Sequence, residues 1–419
     1  MWKAGESIVR RIISLTMVGN ECEMIESFVR YNSNFVNKMY FISNSGTVDK
    51  TIDILKKLQD EGYDITLYDE PTVSYDQKVV ENKYLRLIAS SGDSDIIIPL
   101  DADEFITTKE EHGIKEELDS LDLNSIYLIG WRNYDLTQMD DLSESFIPRR
   151  ICYCSKEMSI YTKVIIPTKL VNERGISVTT GHHSIKFNKT VNIINHERLY
   201  IAHYPRISYE QYISKIYCSC INFITWMNRA NGEGSHINKA LSEIDDINFY
   251  ENFGRRDYDG KNEELIYLPL SLKECKNIDI KYNDLAKVNP LKNIVSTGQV
   301  MAIKAYNLEI NKFNEARGIK VLVFGTGYDS NHLLDGFPAD IINIQAYLDS
   351  DKSKEYTMFN RRLVVTPEKC RLFSYDMIII ASSKYYDEMF ETLRDLGVDM
   401  SLVVGVDYLL DIQIKTLNK

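Results

Sequence analysis

Apolar and polar positions along the first hundred residues alternate between two periods. Arg11–Met17 is a short apolar run of strand type, and Glu21–Tyr31 carries Met24, Ile25, Phe28 and Val29 at helical spacing. Lys38–Ser43 is again strand-like. Thr47 then stands where it can cap a helix bearing Val48, Ile52, Leu55 and Leu58, which Gly62 ends. Asp64–Tyr68, a helix over Tyr75–Ala89 and a strand over Asp95–Leu100 complete the series. Strands and helices in strict alternation with short connections predict a mostly parallel sheet with crossover helices. Such sheets bind ligands outside the carboxyl ends of their strands. The segments that follow the strands, Thr16–Glu21, Asn44–Asp49, Asp69–Gln77 and Asp101–Glu104, are all polar, and topology alone makes them converge.

Beyond Phe105 the pattern is mixed. Strands are predicted at Ser125–Trp131, Tyr161–Pro167 and Thr190–Ile194, with an acidic loop over Asp135–Glu144. Ser208 and Gln211 have capping-box spacing at the head of a long amphipathic helix, and Asn231–Ser235 reads as a break. A helical and irregular connector follows, with a helix over Val300–Phe313. Alternation resumes at Ile319: strands at Lys320–Phe324, Ile341–Leu348 and Met377–Ala381, and a helix over Tyr385–Leu396 closed by Gly397. Three regions result: an α/β domain over 1–235, a connector over 236–318 and a smaller Rossmann-like α/β domain over 319–419.

Composition narrows the partners. A chain of 419 residues exceeds one ordinary core, and 26% charged with 44% apolar residues is the balance of a folded globular protein. The net charge of −12 offers no basic face for nucleic acid. No apolar run reaches the roughly 18 residues of a membrane span, and the apolar run near the N-terminus lacks the features of a signal peptide. A cytoplasmic protein is expected. Seven cysteines, an odd and sparse number, do not suggest a disulfide framework. The Cys152/Cys154 and Cys218/Cys220 pairs leave a structural metal as an alternative to buried thiols.

The chemistry centres on Leu100-Asp101-Ala102-Asp103-Glu104-Phe105, directly after the strand Ile96–Leu100. Two carboxylates one residue apart at a strand end can hold a hard divalent cation through oxygen. Such a cation neutralises the charge that develops on a departing diphosphate. The letters alone are weak evidence, since a solvated acidic loop looks the same. Their position after the fourth strand of the alternating unit carries most of the weight.

The order and spacing of four pieces resemble glycosyltransferase family 2 and relatives that carry the Asp-Ala-Asp-Glu-Phe run. The pieces are Leu15–Glu21, Phe41–Asp49, Gln77–Asn82 and Pro99–Glu104. The resemblance covers residues 10 to 230, more weakly in its second half. It implies a GT-A fold and transfer of a sugar, for example GlcNAc, from a UDP-sugar. Thr16 and Glu21 would then lie by the base and ribose. Asn44 would stand where the family has an aspartate on the uracil edge. Gln77, Asn82 and Lys83 would lie near the phosphates or sugar. Asp101 would approach ribose and metal, and Asp103 would bind Mn2+ or Mg2+ directly. His203, in a His-Tyr segment before the capped helix, resembles a late metal ligand. Gly181-His182-His183 also resembles a segment of these relatives. An inverting transfer needs a carboxylate base; Asp135, Asp140, Asp141 and Glu144 are the candidates, and Asp135 is the nearest to a strand end. Related proteins act on bacterial surface glycans or flagellin, so the expected acceptor is a hydroxyl of a glycan or protein.

In the C-terminal region, Gly325-Thr-Gly327 follows a strand as in a dinucleotide fold, with Asp349 where a ribose acid would sit, but the third glycine is missing. A structural or partner-docking domain is the favoured reading there, with nucleotide binding the alternative. Two competing readings remain: a nucleotide-sugar-binding or assembly protein with a degenerate site, and an oxidoreductase acting through this last domain.

Overall fold

The computed structural model describes residues 9–44, 46–70, 76–109, 113–226, 234–246, 248–253, 265–313, 318–334 and 342–406. The chain divides into two compact units, the first over Met1–Glu70 and Tyr75–Gln299, the second centred on Val300–Lys419.

The first unit opens with β1 (Ile12–Val18), α1 (Ile25–Asn32), β2 (Lys38–Asn44), α2 (Thr51–Asp60), β3 (Ile65–Glu70), α3 (Gln77–Ser91) and β4 (Ile96–Pro99). It continues through β5 (Glu104–Thr108), α4 (Ile114–Asp119), β6 (Ser125–Asp135), α5 (Ile147–Arg150), β7 (Tyr153–Ser155), β8 (Thr162–Pro167), α6 (Thr168–Arg174), β9 (Ser177–Val178) and β10 (Ile185–Lys186). Then come β11 (Asn192–Arg206), α7 (Tyr209–Asn222), α8 (Ser235–Ile244), α9 (Phe249–Asn252) and β12 (Leu265–Tyr267), and the division between the units falls within α10 (Pro290–Phe313). The main sheet runs β12-β7-β6-β8-β4-β1-β2-β3, with β11 paired to β5 and β6. β1 to β4 are mutually parallel, β8 is antiparallel, and β6 and β11 return to the direction of β4. The α/β class with a mostly parallel sheet, expected from the alternation, is the class observed.

Strand side chains alternate between two cores, as a pleated strand buried on both faces requires. Ile12, Ile96 and Ile98 join Phe28, Leu55 and Leu58 of α1 and α2 on one face. Ile13, Leu15 and Ile97 join Tyr84, Leu85 and Leu170 of α3 and α6 on the other. Glu26, Arg30 and Glu61 form an ion-paired cluster with Arg30 almost fully buried.

Several boundaries differ from the sequence pattern. α2 begins at Thr51, so Thr47 is not its cap; Thr47 Oγ1 donates to the carbonyl of Val18 instead. Asp49 Oδ1 accepts from the Thr51 amide and hydroxyl, and Asn20 Oδ1 accepts from the Val48 and Asp49 amides, holding 46–50 as a turn. β6 continues to Asp135 because it pairs with β11 as far as Arg206. Asp135 is therefore a strand-end residue rather than part of a loop. The Ser208 cap forms: its Oγ accepts from the Gln211 amide. Tyr75 and 231–233 lie outside the described residues.

The second unit contains β13 (Ile319–Phe324), α11 (Tyr328–Leu334), β14 (Ile342–Leu348), β15 (Met358–Phe359), β16 (Arg362–Val365), β17 (Met377–Ile380), α12 (Tyr386–Asp395) and β18 (Val403–Gly405). Its sheet runs β15-β16-β14-β13-β17-β18 and is parallel except for the β15 edge, a Rossmann-like order. Among the described residues no helix is long and apolar enough to cross a membrane, and all seven cysteines are free thiols.

Candidate functional site

A cavity of about 950 Å³ opens in the first unit where the ends of β1, β4 and β6 meet. Gly19–Glu21 follow β1, Asp101–Asp103 follow β4, Asp135 closes β6, and Gln77 begins α3; all line the cavity. His203 near the end of β11 and Lys215 of α7 complete the polar wall. The volume suits a drug-sized ligand.

The acidic run is held by its neighbours in the sheet. The amide of Asp101 donates to Glu104 Oε2 at 3.0 Å, and the amide of Tyr204 donates to the carbonyl of Asp103. Asp101 and Asp103 are each paired with a lysine. Lys163 Nζ donates to Asp101 Oδ2 and to the carbonyl of Gly181, both at 2.7 Å. It also lies 2.7 Å from Glu104 Oε1 as an ion pair, without hydrogen-bond alignment, and its side chain is 1% exposed. Lys215 Nζ donates to Asp103 Oδ2 at 2.5 Å, with its side chain 31% exposed. Burial alone would raise both aspartates. Lys163 and then His182 instead hold Asp101 down to about 2, and Lys215 with His203 holds Asp103 well below the usual carboxylate range. Burial pushes Glu104 up to about 7 against the pull of Lys163. It pushes Glu21 up to about 8 against Lys215, with Asp103, Asp49 and Asp101 adding to the rise. Glu21 Oε2 is a buried oxygen with no hydrogen-bond partner.

Behind Asp101 the alternation of charge continues. His182 Nε2 lies 2.7 Å from Glu81 Oε2, and Gln77 Nε2 donates to Glu81 Oε1. His182 Nδ1 faces Asp101 Oδ1 at 4.0 Å. Burial opposes a charge on the ring, and Glu81 raises its pKa. Glu81, His182, Asp101 and Lys163 thus form a row in which carboxylates alternate with nitrogen groups under the cavity floor. His203 is placed by register, opposite Glu104 on β5 and Asn133 on β6. Its Nδ1 pairs with Asn133 Oδ1 at 2.8 Å, and its Nε2 lies 3.4 Å from Asp103 Oδ2. Trp131, Tyr161 and His183 gather beside it as an aromatic wall, with centroids 4.8 to 5.8 Å apart. Asp135 Oδ1 accepts from Arg206 Nη2 at 3.0 Å.

Of the residues expected from the sequence, Glu21, Gln77, Asp101, Asp103, Asp135 and His203 meet at the cavity. Thr16 lies fully buried within β1 and is not among the lining residues. Asn82 bonds the amide and carbonyl of Val178 and ties β9 to α3. Lys83 is an exposed partner of Glu70. Asn44 ends β2, and its side chain lies outside the described residues. Sequence reasoning missed Lys163, Lys215, Glu81 and Asn133. One signal was present for Lys215: Tyr212, Lys215, Ser219 and Asn222 recur at helical spacing on α7, and all line the cavity.

A divalent cation can be tested against these side chains. Asp103 Oδ2 and His203 Nε2 are close enough to share one ion, since two ligands about 2.1 Å from it can lie about 4 Å apart. The ammonium of Lys215 occupies the same oxygen. Two unit charges 4 Å apart repel by about 4 kcal/mol at an effective dielectric of 20, and a dication beside an ammonium by about twice that. Glu81, Asp101 and His182 also bring their ligand atoms within 4.8 Å of one another, a group that could hold a metal ion. There Lys163 already pairs with Asp101, and Glu81 lies 2.7 Å from His182 Nε2. At Asp103 the oxygen that a dication would share with His203 is held by Lys215.

In the second unit, Gly325 at φ +113° turns the chain after β13, and its amide donates to the carbonyl of Leu348. A side chain there would be strained. Asp349 accepts from Thr326 Oγ1 and, at 2.8 Å, from Lys354 Nζ.

Among known proteins, the family model described as C2185-like, N-terminal, matches residues 318–404. No curated protein matches the sequence. The crystal structure of S. aureus TarS 1–349 is similar at TM-score 0.30 and 12% identity, covering 73% of this chain and 81% of that chain. Its complex with UDP-GlcNAc gives TM-score 0.30 and 13% identity, over 72% and 81%. A putative glucose-1-phosphate thymidylyltransferase from Bacillus anthracis, in complex with sucrose, gives TM-score 0.28 and 9% identity, over 44% and 86%. Likenesses this slight carry no argument about the site.

Proposed function

We propose that the first unit is a glycosyltransferase that takes a sugar from a nucleoside-diphosphate donor, a UDP-sugar by the resemblance of its motifs, to a hydroxyl of a glycan or protein. The observation that supports this best is the strand-end cavity in which Asp101 and Asp103 meet Lys215. A diphosphate needs cations that can reach its oxygens, and a ribose needs carboxylate acceptors; both chemistries occur on one wall. The aromatic wall of Trp131, Tyr161 and His183 offers flat apolar surface for a sugar ring.

In the reaction, the bond from the anomeric carbon to the diphosphate oxygen breaks, and its electron pair stays on that oxygen. The acceptor oxygen forms the new bond, and its proton passes to a carboxylate. Asp135 is the proposed base, with Oδ1 fixed by Arg206, and the transfer inverts the anomeric centre. The Mn2+ or Mg2+ expected from the sequence has no step here, because Lys215 stands on the carboxylate oxygen it would use. Incubation of the full chain with UDP-sugars and cell-derived acceptors tests this reading. Product formation that drops at least about 100-fold in Asp135→Asn is expected. Unchanged transfer in that variant removes Asp135 as base, and absence of turnover with every donor contradicts the enzyme reading.

A further inference from the structure

We propose that Lys215, paired to Asp103 on the cavity wall, takes the place of a divalent cation, so that the donor diphosphate is bound and its departure assisted without metal. The inference rests on the nucleotide-sugar reading of the cavity and adds the identity of its cation.

Three observations carry it. First, each aspartate of the run has a lysine within 2.7 Å: Lys163, shared with Glu104, on Asp101 and Lys215 on Asp103. Second, the two lysines are differently placed. Lys163 is sealed in, with Asp101, Glu104 and the Gly181 carbonyl around its ammonium. Lys215 lines the cavity, and the hydrogen bond to Asp103 uses one of its three N–H donors. Third, the imidazole and carboxylate that a metal would share, His203 and Asp103, meet at the oxygen Lys215 already holds. Lys163 is thus a fixed structural charge, and Lys215 is a charge aimed at a ligand. When the bond to the anomeric carbon breaks, the pair left on the phosphate oxygen faces this ammonium. Lys215 keeps its proton throughout and donates a charge-assisted hydrogen bond. Asp103 holds it in position.

The test is a calorimetric titration of the full chain with UDP, once in excess EDTA and once with Mn2+, alongside Mn2+ uptake followed by the free-ion EPR signal. Wild-type affinity for UDP equal within about 2-fold in both buffers is expected, with no uptake of micromolar Mn2+. Lys215→Ala weakens binding in EDTA by at least about 10-fold, whereas Lys215→Arg retains most of it. Wild-type binding lost in EDTA and restored by Mn2+ overturns the inference but leaves the nucleotide-sugar reading standing. So does wild-type affinity in Lys215→Ala. No UDP binding in either buffer contradicts both.

Discussion

Both units place a lysine–aspartate pair at the end of a parallel strand, yet the two pairs are built differently. In the first unit, Lys215 reaches Asp103 from 112 positions away, Asp103 is almost fully buried, and both line a cavity. In the second, Lys354 reaches Asp349 from five positions away and is 44% exposed, and the acid also accepts from Thr326 of the glycine turn. The local pair closes the loop on itself and consumes the acid that a ribose would need. The remote pair is brought together by the fold at a hollow. A motif at a strand end becomes a site when its charges are satisfied by distant residues that also face a ligand's volume.

That contrast can be broken most severely at Lys163. Lys163→Met strands Asp101 and Glu104 without their buried cation and is expected to lower unfolding free energy by about 3–5 kcal/mol. Lys354→Met, at the exposed pair, is expected to cost about 0–1 kcal/mol. Denaturant titrations of both variants measure the gap, and equal costs contradict the distinction. Next in size, Asp103→Asn is expected to weaken UDP binding about 10-fold, as Lys215→Ala does, since it unseats Lys215. Gly325→Ala is expected to cost about 1–3 kcal/mol of stability through its positive φ, while UDP affinity stays at the wild-type value.

The smallest effect is a pH slope. Glu21 has its folded pKa raised from 4.5 to about 8. Its stabilising contribution is therefore fully present below pH 4.5 and is lost as pH rises through about 8. Ionised Glu21 would also add negative charge beside Asp101, Asp103 and Asp49, partly offset by Lys215, so UDP binding should weaken above pH 8. Glu21→Gln is expected to flatten both slopes. An unchanged alkaline loss in this variant assigns it to another group, with Glu104 the next to examine.

How much of this was readable in the sequence follows from distance along the chain. The alternation of β1 to β4 and the acidic run at a strand end are local patterns, and they located the cavity floor. His203 was readable as a residue, but its approach to Asp103 depends on the register of β11 against β5 and β6. The lysines were not readable: Lys163 and Lys215 join their aspartates across 62 and 112 positions. Asn82 and Lys83 sit one turn too far along α3, where Val178 and Glu70 engage them. Thr16 is buried on the face of β1 that carries Ile12 and Val18, a parity that spacing from the motif does not reveal. The metal expectation followed from Asp101, Asp103 and His203; a buried group that could hold an ion does occur, at Glu81, Asp101 and His182, while the lysines beside the aspartates were not readable.

The most direct test of the central claim is a calorimetric titration of UDP into the wild-type chain, into Asp103→Asn and into Gly325→Ala. Saturable binding of one UDP, weakened about 10-fold in Asp103→Asn and kept in Gly325→Ala, is the result predicted. Binding that survives Asp103→Asn and disappears in Gly325→Ala would contradict it, moving the nucleotide from the cavity of the first unit to the glycine turn of the second.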